Sequence, residues 1–469
     1  MKIVLVNPRS RNPREIQQKC FAPLNLMYLA AALQESGYSV DIIDANALGW
    51  NDAAVAERIK SLAPDLVGIS LLSEIYRDVF HLSKAIRAAR PGVFMVLGGP
   101  HANALPEIVL EEFKAADLVL RGECEQSIIA LCEALNEKKS LATVPGLTYR
   151  RAGQIRSNPP SRAIRDIDRL EAPARHLLAA AYDNHRYFMI LEKQRPMETV
   201  LTSRGCPFHC RFCSNIPARF RARSPENVLD ELVTRYDEGI RTFDIADANF
   251  THDPDRAMAI FELIIKEKLD ISFRFKTRTD AVTERLLQKA GRAGARLVSM
   301  GMESGSQSIL DRMDKRTTTA GNFRAARLVM KSGLKLNTGW ILGFPGETRE
   351  TLEETVDLIV KLKPTTANIG WLIPYPGTPV YEEARANQTL AGDWSLSSEI
   401  TPWIKLPWLR DVSQIRKISQ WARRKVYFRP WYLINFSGEI LKNANLTLAA
   451  YALQEGKKAL RQARPDIFR

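Results

Sequence analysis

Thr199-Val200-Leu201-Thr202-Ser203-Arg204-Gly205-Cys206-Pro207-Phe208-His209-Cys210-Arg211-Phe212-Cys213 carries a short β-branched run directly into three cysteines within eight residues. Thiolates are the usual iron–sulfur ligands, and four of them normally complete a [4Fe–4S] set. The remaining cysteines, Cys20, Cys124 and Cys132, lie far away in sequence and read as buried thiols. Three close ligands leave one iron open to an external chelating molecule. Gly205 and Pro207 suit a tight turn around such a cluster. A zinc knuckle is the competing reading, but zinc wants a fourth Cys or His, and His209 sits at an awkward spacing inside the motif.

Working outward, Thr199–Thr202 opens a series of strand-like runs: Thr242–Ala246, Ser272–Lys276, Leu297–Gly301, Leu336–Leu342 and Asn368–Ile373. Amphipathic stretches separate them, so six strand–helix units form a partial (β/α)6 barrel, short of the full eight. The first ~135 residues alternate in the same way. Ile3–Val6, Val40–Ile43, Leu66–Ile69, Val93–Leu97 and Leu118–Leu120 read as strands, with helical patterns such as Leu26–Ser36 and Val79–Ala89 between them. This alternation predicts a doubly wound parallel sheet with ligands at the carboxyl ends of its strands. Residues 137–195, with Pro145, Pro159, Pro160 and Pro173, read as an irregular connector.

On these residues the chain resembles the radical SAM superfamily, in which CxxxCxxC follows the first strand of a partial barrel. The resemblance implies a [4Fe–4S] cluster on Cys206, Cys210 and Cys213, with S-adenosylmethionine (SAM) on the open iron and its cleavage to a 5′-deoxyadenosyl radical. It also implies SAM contacts at successive strand ends: Phe212, then Asp247 and Asn249, Arg278, Glu303 and Ser304, and Gly343. Asp247 could instead cap a helix, and Glu303 could instead form a salt bridge at the barrel top. Gly305 in the same GxESG pattern would allow a close backbone approach.

The N-terminal sheet has no GxGxxG after its first strand, which argues against a dinucleotide site. Gly98-Gly99-Pro100-His101 and Arg121-Gly122-Glu123, with Pro106-Glu107 between them, are similar to the class B radical SAM family, the cobalamin-binding branch. That resemblance spans residues 1–385. It implies cobalamin contacts at Ser70, Ser73, Gly98, Gly99, His101, Arg121, Gly122 and Glu123. The DxHxxG motif that supplies a cobalt ligand in many cobalamin proteins is absent, since none of the six histidines has the flanking Asp and Gly.

The expected class is therefore α/β: a cobalamin-type Rossmann-like sheet (1–136), a connector (137–195), a radical SAM partial barrel (196–388) and a basic, aromatic-rich helical segment (389–469). The net charge is +14, and most of it falls after residue 400, where 14 Lys and Arg face 4 Asp and Glu. Trp421, Arg423, Arg424, Lys425, Arg429 and Trp431 suit an anionic membrane surface, a wall over an apolar substrate, or a packed helical cap. No apolar run reaches the ~18 residues of a membrane span, and the N-terminus reads as a buried strand. The expected location is the cytoplasm, with peripheral contact at the inner membrane face.

The resemblance implies a cobalamin-dependent methyltransferase acting on an unactivated carbon, with a hopanoid-like lipid or another small molecule as substrate. A flavodoxin- or ferredoxin-type electron donor would serve it, and nucleic acid is not expected as a partner. An oxidative cyclase of tetrapyrroles and a non-catalytic cobalamin carrier are the alternatives.

Overall fold

Ile3–Val6 are all buried, so β1 (Lys2–Asn7) has to lie inside a sheet covered on both faces. The computed structural model, which describes residues 1–10, 19–189, 195–214, 219–394, 402–429 and 432, places it there. Its neighbours are β2 (Ser39–Asp44) and β3 (Leu66–Ser70), followed by β4 (Phe94–Gly98) and β5 (Leu118–Leu120). These five run parallel in the order β2-β1-β3-β4-β5. In this winding the order reverses beside β1, and the crevice beyond the β1 and β3 ends is the natural ligand site.

The sheet does not stop at five strands. β6 (Leu147–Arg151) and β7 (Gln154–Ser157) add an antiparallel hairpin at the β5 edge. Part of the stretch read as an irregular connector thus extends the sheet. Its two-residue turn, Ala152-Gly153, has φ of 49° and 77°. Both are left-handed, as a tight hairpin turn of the twisted sheet requires. The signal was muted because Ala replaces the usual Asn or Asp.

The second sheet is all parallel and in chain order: β8 (Met197–Val200), β9 (Thr242–Ile245), β10 (Ser272–Thr277), β11 (Ala295–Glu303), β12 (Lys335–Leu342) and β13 (Thr366–Trp371). β8 begins two residues before the sequence pattern suggests. Five of the intervening helices start on a side-chain cap. Ser224, Asp253, Thr283, Thr318 and Thr348 accept backbone N–H bonds at the starts of successive helices. β12 alternates half-buried and buried residues along its whole length, with Leu336, Thr338, Trp340 and Leu342 in the core.

The helix Val412–Tyr427 buries Ile415, Ile418, Ala422 and Val426, and the Tyr427 hydroxyl bonds the backbone of Ala367 on β13. Lys425 pairs with Asp357 at 2.5 Å. This part of the basic segment is a packed helical cap. Trp431 and residues 433–469, where most of the remaining basic and aromatic expectation falls, lie outside the described residues. Among the described residues no helix is long and apolar enough to cross a membrane.

Charged pairs join the two sheets. Arg204, one residue before Gly205, reaches Glu125 at 2.6 Å and Glu123 at 3.5 Å across the seam. Arg221 also pairs with Glu123. Tyr187 donates to the buried Asp44 at the end of β2 (2.9 Å).

Candidate functional site

The cysteine loop leaves β8 over the carboxyl ends of the second sheet. Gly205 enters it at φ 85°, and the Cys213 N–H closes a turn onto the Cys210 carbonyl at 3.1 Å. Arg211 anchors the middle of the loop: its N–H donates to the Met313 carbonyl, and its own carbonyl accepts from Val380. Cys206, Cys210 and Cys213 form no disulfide, and each is half-buried. Among the described residues no three His, Cys, Asp or Glu side chains gather tightly enough for a single metal ion. Burial pushes the Cys210 thiol up, against the charges of Lys315 and Arg278, which pull it down.

Beneath the loop lies Asp247, 0% exposed. Its carboxylate accepts from the backbone N–H and hydroxyl of both Thr202 and Ser203, at 2.5–3.0 Å. That carboxylate is committed to holding the end of β8; it neither caps a helix nor offers a free oxygen. Ser304 is equally enclosed, with its hydroxyl shared between Thr355 and the Ser306 N–H. Gly305 approaches the helix Arg349–Leu362, since a Cβ there would lie 2.5 Å from the Thr355 backbone. Gly343, at φ 83°, leaves room for the Trp371 ring, which a Cβ would meet at 2.4 Å.

Other predicted residues ring the loop. Glu303, itself at φ 63°, pairs with buried Lys315 at 2.8 Å, and bare Gly301 makes room for the pair. Arg278 holds Asp280 and the Lys315 carbonyl, and its guanidinium lies 3.8 Å over the Phe208 ring of the cysteine loop. Phe212 packs against the cluster of Ile309, Met313 and Phe344, with the Lys315 amine 5.9 Å above its ring. The Asn249 oxygen accepts from the Arg278 N–H (3.3 Å), whereas its Nδ2 is buried without a partner. Such a group normally finds one.

Facing this rim, the carboxyl ends of β1–β4 enclose a cavity of about 430 Å³. Asn7, Asn46, Leu72, Ser73 and Asn103 line it from the sheet, and Ser214, Tyr375 and Pro376 from the barrel. Leu72 is 40% exposed, a large apolar side chain turned toward the opening. Of the eight residues expected to meet cobalamin, Ser73 alone is on this wall. Gly98 ends β4, and Ser70 accepts a long bond from Asn25 (3.5 Å). Gly99, at φ 101°, passes so close to Leu71 that a Cβ would sit 2.9 Å from its carbonyl oxygen.

His101 is 2% exposed and bonds Ser73 through Nδ1 at 2.8 Å, with Tyr76 and Trp394 against its ring. Burial pushes its pKa down to about 4, so it is neutral. Arg121 bonds the Gly146 and Asn158 carbonyls, Gly122 donates to Asn103, and Glu123 serves the seam. The Arg-Gly-Glu loop therefore braces the two sheets and reaches the cavity only through Asn103. The residues that sequence reasoning missed, Asn46, Asn103 and Tyr375, follow no motif. Asn7 belongs to a strand-end loop that was visible.

Two family descriptions match the chain: the radical SAM superfamily over residues 200–359 and the B12 binding domain over residues 18–131. An uncharacterized methyltransferase of Pyrococcus horikoshii, PH0819, is 34% identical over 454 residues, which is 95% of this chain and 97% of that protein. The chain belongs to the cobalamin-binding radical SAM family. The anaerobic magnesium-protoporphyrin IX monomethyl ester cyclase of Cereibacter sphaeroides is 30% identical over 416 residues, 86% of this chain and 67% of the cyclase. Among solved structures, the cobalamin-dependent SAM radical enzyme OxsB, with aqua-cobalamin and SAM bound, superposes with a TM-score of 0.72 at 19% identity. The match covers 90% of this chain and 65% of OxsB, and it speaks for the fold.

As a family member the chain is an enzyme that uses a [4Fe–4S] cluster, SAM and cobalamin. The residues present fit these groups. Three cysteines outside any disulfide sit on one braced loop, the unpartnered Asn249 Nδ2 is close by, and an amide-lined cavity faces them.

Proposed function

We propose that this enzyme methylates an unactivated carbon of an apolar small molecule, a hopanoid-like lipid being the most specific candidate. The observation that carries this reading is the cavity at the seam. Its wall combines the ends of the cobalamin-type sheet with Ser214, the residue after Cys213, and with Tyr375 at the barrel top. Cobalamin on the sheet-side wall would face the cysteine loop across this cavity, and a substrate held between them would lie within reach of both cofactors.

When bound, the reduced cluster supplies the electron that cleaves SAM, and cobalamin supplies the methyl group. The protein's part is binding and exclusion of water. Cys206, Cys210 and Cys213 would hold the cluster, and Asp247 would fix the loop from below. Asn249 would donate to SAM, with Arg278 and the Lys315–Glu303 pair setting the charge around it. Leu72, Phe21 and Tyr375 would offer the substrate apolar surface.

The test is anaerobic turnover with a reductant and SAM on lipid extracts, read by mass spectrometry. A gain of one CH₂ with S-adenosylhomocysteine supports methylation. 5′-Deoxyadenosine without methyl gain removes it in favour of a cyclase-type reaction, and no SAM cleavage at all leaves a cobalamin carrier.

A further inference from the structure

The amide side chains on the cavity wall do not face it interchangeably. Which end of an Asn points outward is set by its partners. Asn7 gives its NH₂ group to Asp44 Oδ1 at 2.8 Å, and that oxygen also accepts the Ala47 N–H at 3.1 Å, so it acts as an acceptor. The Asn7 carbonyl oxygen is therefore left for the cavity. Asn103 is fixed the other way. Its Oδ1 accepts the Gly122 N–H at 2.8 Å, which leaves its NH₂ group for the cavity. Among the described residues lining the cavity, Glu74 alone carries a charge at neutral pH, and Tyr375 donates to it.

We propose that Asn7 and Asn103 form a matched acceptor and donor that select a corrin ring carrying neutral amide arms over one carrying carboxylate arms. A primary amide donates and accepts, so it can satisfy both. A carboxylate can only accept, and would meet the Asn7 oxygen with no proton to share. Asp44 is the positioning residue behind Asn7. The inference rests on the proposed reading of the seam cavity, in which the corrin lies on its sheet-side wall.

The experiment measures binding of two corrinoids to cluster-reconstituted full-length protein by visible absorbance. One is dicyanocobinamide, whose arms are amides, and the other is cobyrinic acid, whose arms are carboxylates. The wild type should favour cobinamide by at least about tenfold. Asn7→Ala should weaken cobinamide about fivefold, the loss of one hydrogen bond, and leave cobyrinic acid unchanged or tighter. Asn103→Asp keeps the oxygen that holds Gly122 but loses the donor, and should weaken both corrinoids. Unchanged iron content and melting temperature certify the fold of each variant. Equal wild-type affinities, or unchanged cobinamide binding in both variants, overturn the proposal while the corrin site stands. A wild type that binds neither corrinoid overturns both.

Discussion

The two faces of the seam are built from opposite chemistry. The barrel side is ionic: Arg278 with Asp280, Lys315 with Glu303, and Asp247 under four donors all surround the cysteine loop. The sheet side is mostly neutral, with the amides of Asn7, Asn46 and Asn103, Ser73 and the apolar Leu72 and Ile75; among its described residues Glu74 alone is charged, and Tyr375 donates to it. Buried charge persists only where partners compensate it. The barrel keeps its charges as compensated pairs around the cysteine loop, whereas the sheet offers mainly amides and apolar side chains.

The largest effect that would separate the two sides is removal of a thiol. Cys206→Ala, Cys210→Ala or Cys213→Ala should abolish the brown cluster absorbance and SAM cleavage while cobalamin binding survives. Full iron and sulfide retention in all three variants defeats the cluster assignment. Next, Asp247→Ala leaves four buried donors without an acceptor and should lower stability by about 3–5 kcal/mol, read by denaturant midpoint. Asp247→Asn should lose less.

Glu347 offers a pH test. Burial pushes its carboxyl up to about 8, against the Gly343 N–H, which pulls it down. The folded state therefore favours the protonated form. The contribution of Glu347 is fully present below its ordinary value of 4.5 and is lost as pH rises through about 8. Melting temperature should fall over that window, and Glu347→Gln should flatten the slope.

The smallest effect belongs to the seam. Burial raises the Glu123 carboxyl, but the Arg221 bond, the Arg204 charge and the Ile164 N–H outweigh it, so the net shift is downward. Its contribution is present above its ordinary value of 4.5 and disappears as pH falls below that. Glu123→Gln should remove that acid-side loss and reduce stability at neutral pH by about 1 kcal/mol.

Much of this architecture is legible because chemistry and periodicity leave short-range marks. A three-thiol loop needs close spacing, and buried parallel strands need unbroken apolar runs such as Ile3–Val6. The hairpin Leu147–Ser157 was hidden because its turn lacks the usual Asn-Gly, and its partner strand lies far off in sequence. Asp247 shows a second limit. A carboxylate at a strand end can face a ligand or its own backbone, and sequence does not encode the direction. The Arg-Gly-Glu loop shows a third, since Glu123 finds Arg221 98 residues away. The roles of Asn7 and Asn103 depend on which partner holds which end of an amide.

Arg204 stands two residues before Cys206 and is clamped to Glu125, the first residue of the helix Glu125–Asn136 on the other side of the seam. The contact between the halves is thus pinned beside the first of the three thiols. Any widening of the gap at that point would pull on the loop itself. Loading and release of a bulky guest would then have to occur along the flanks of the seam, away from Arg204.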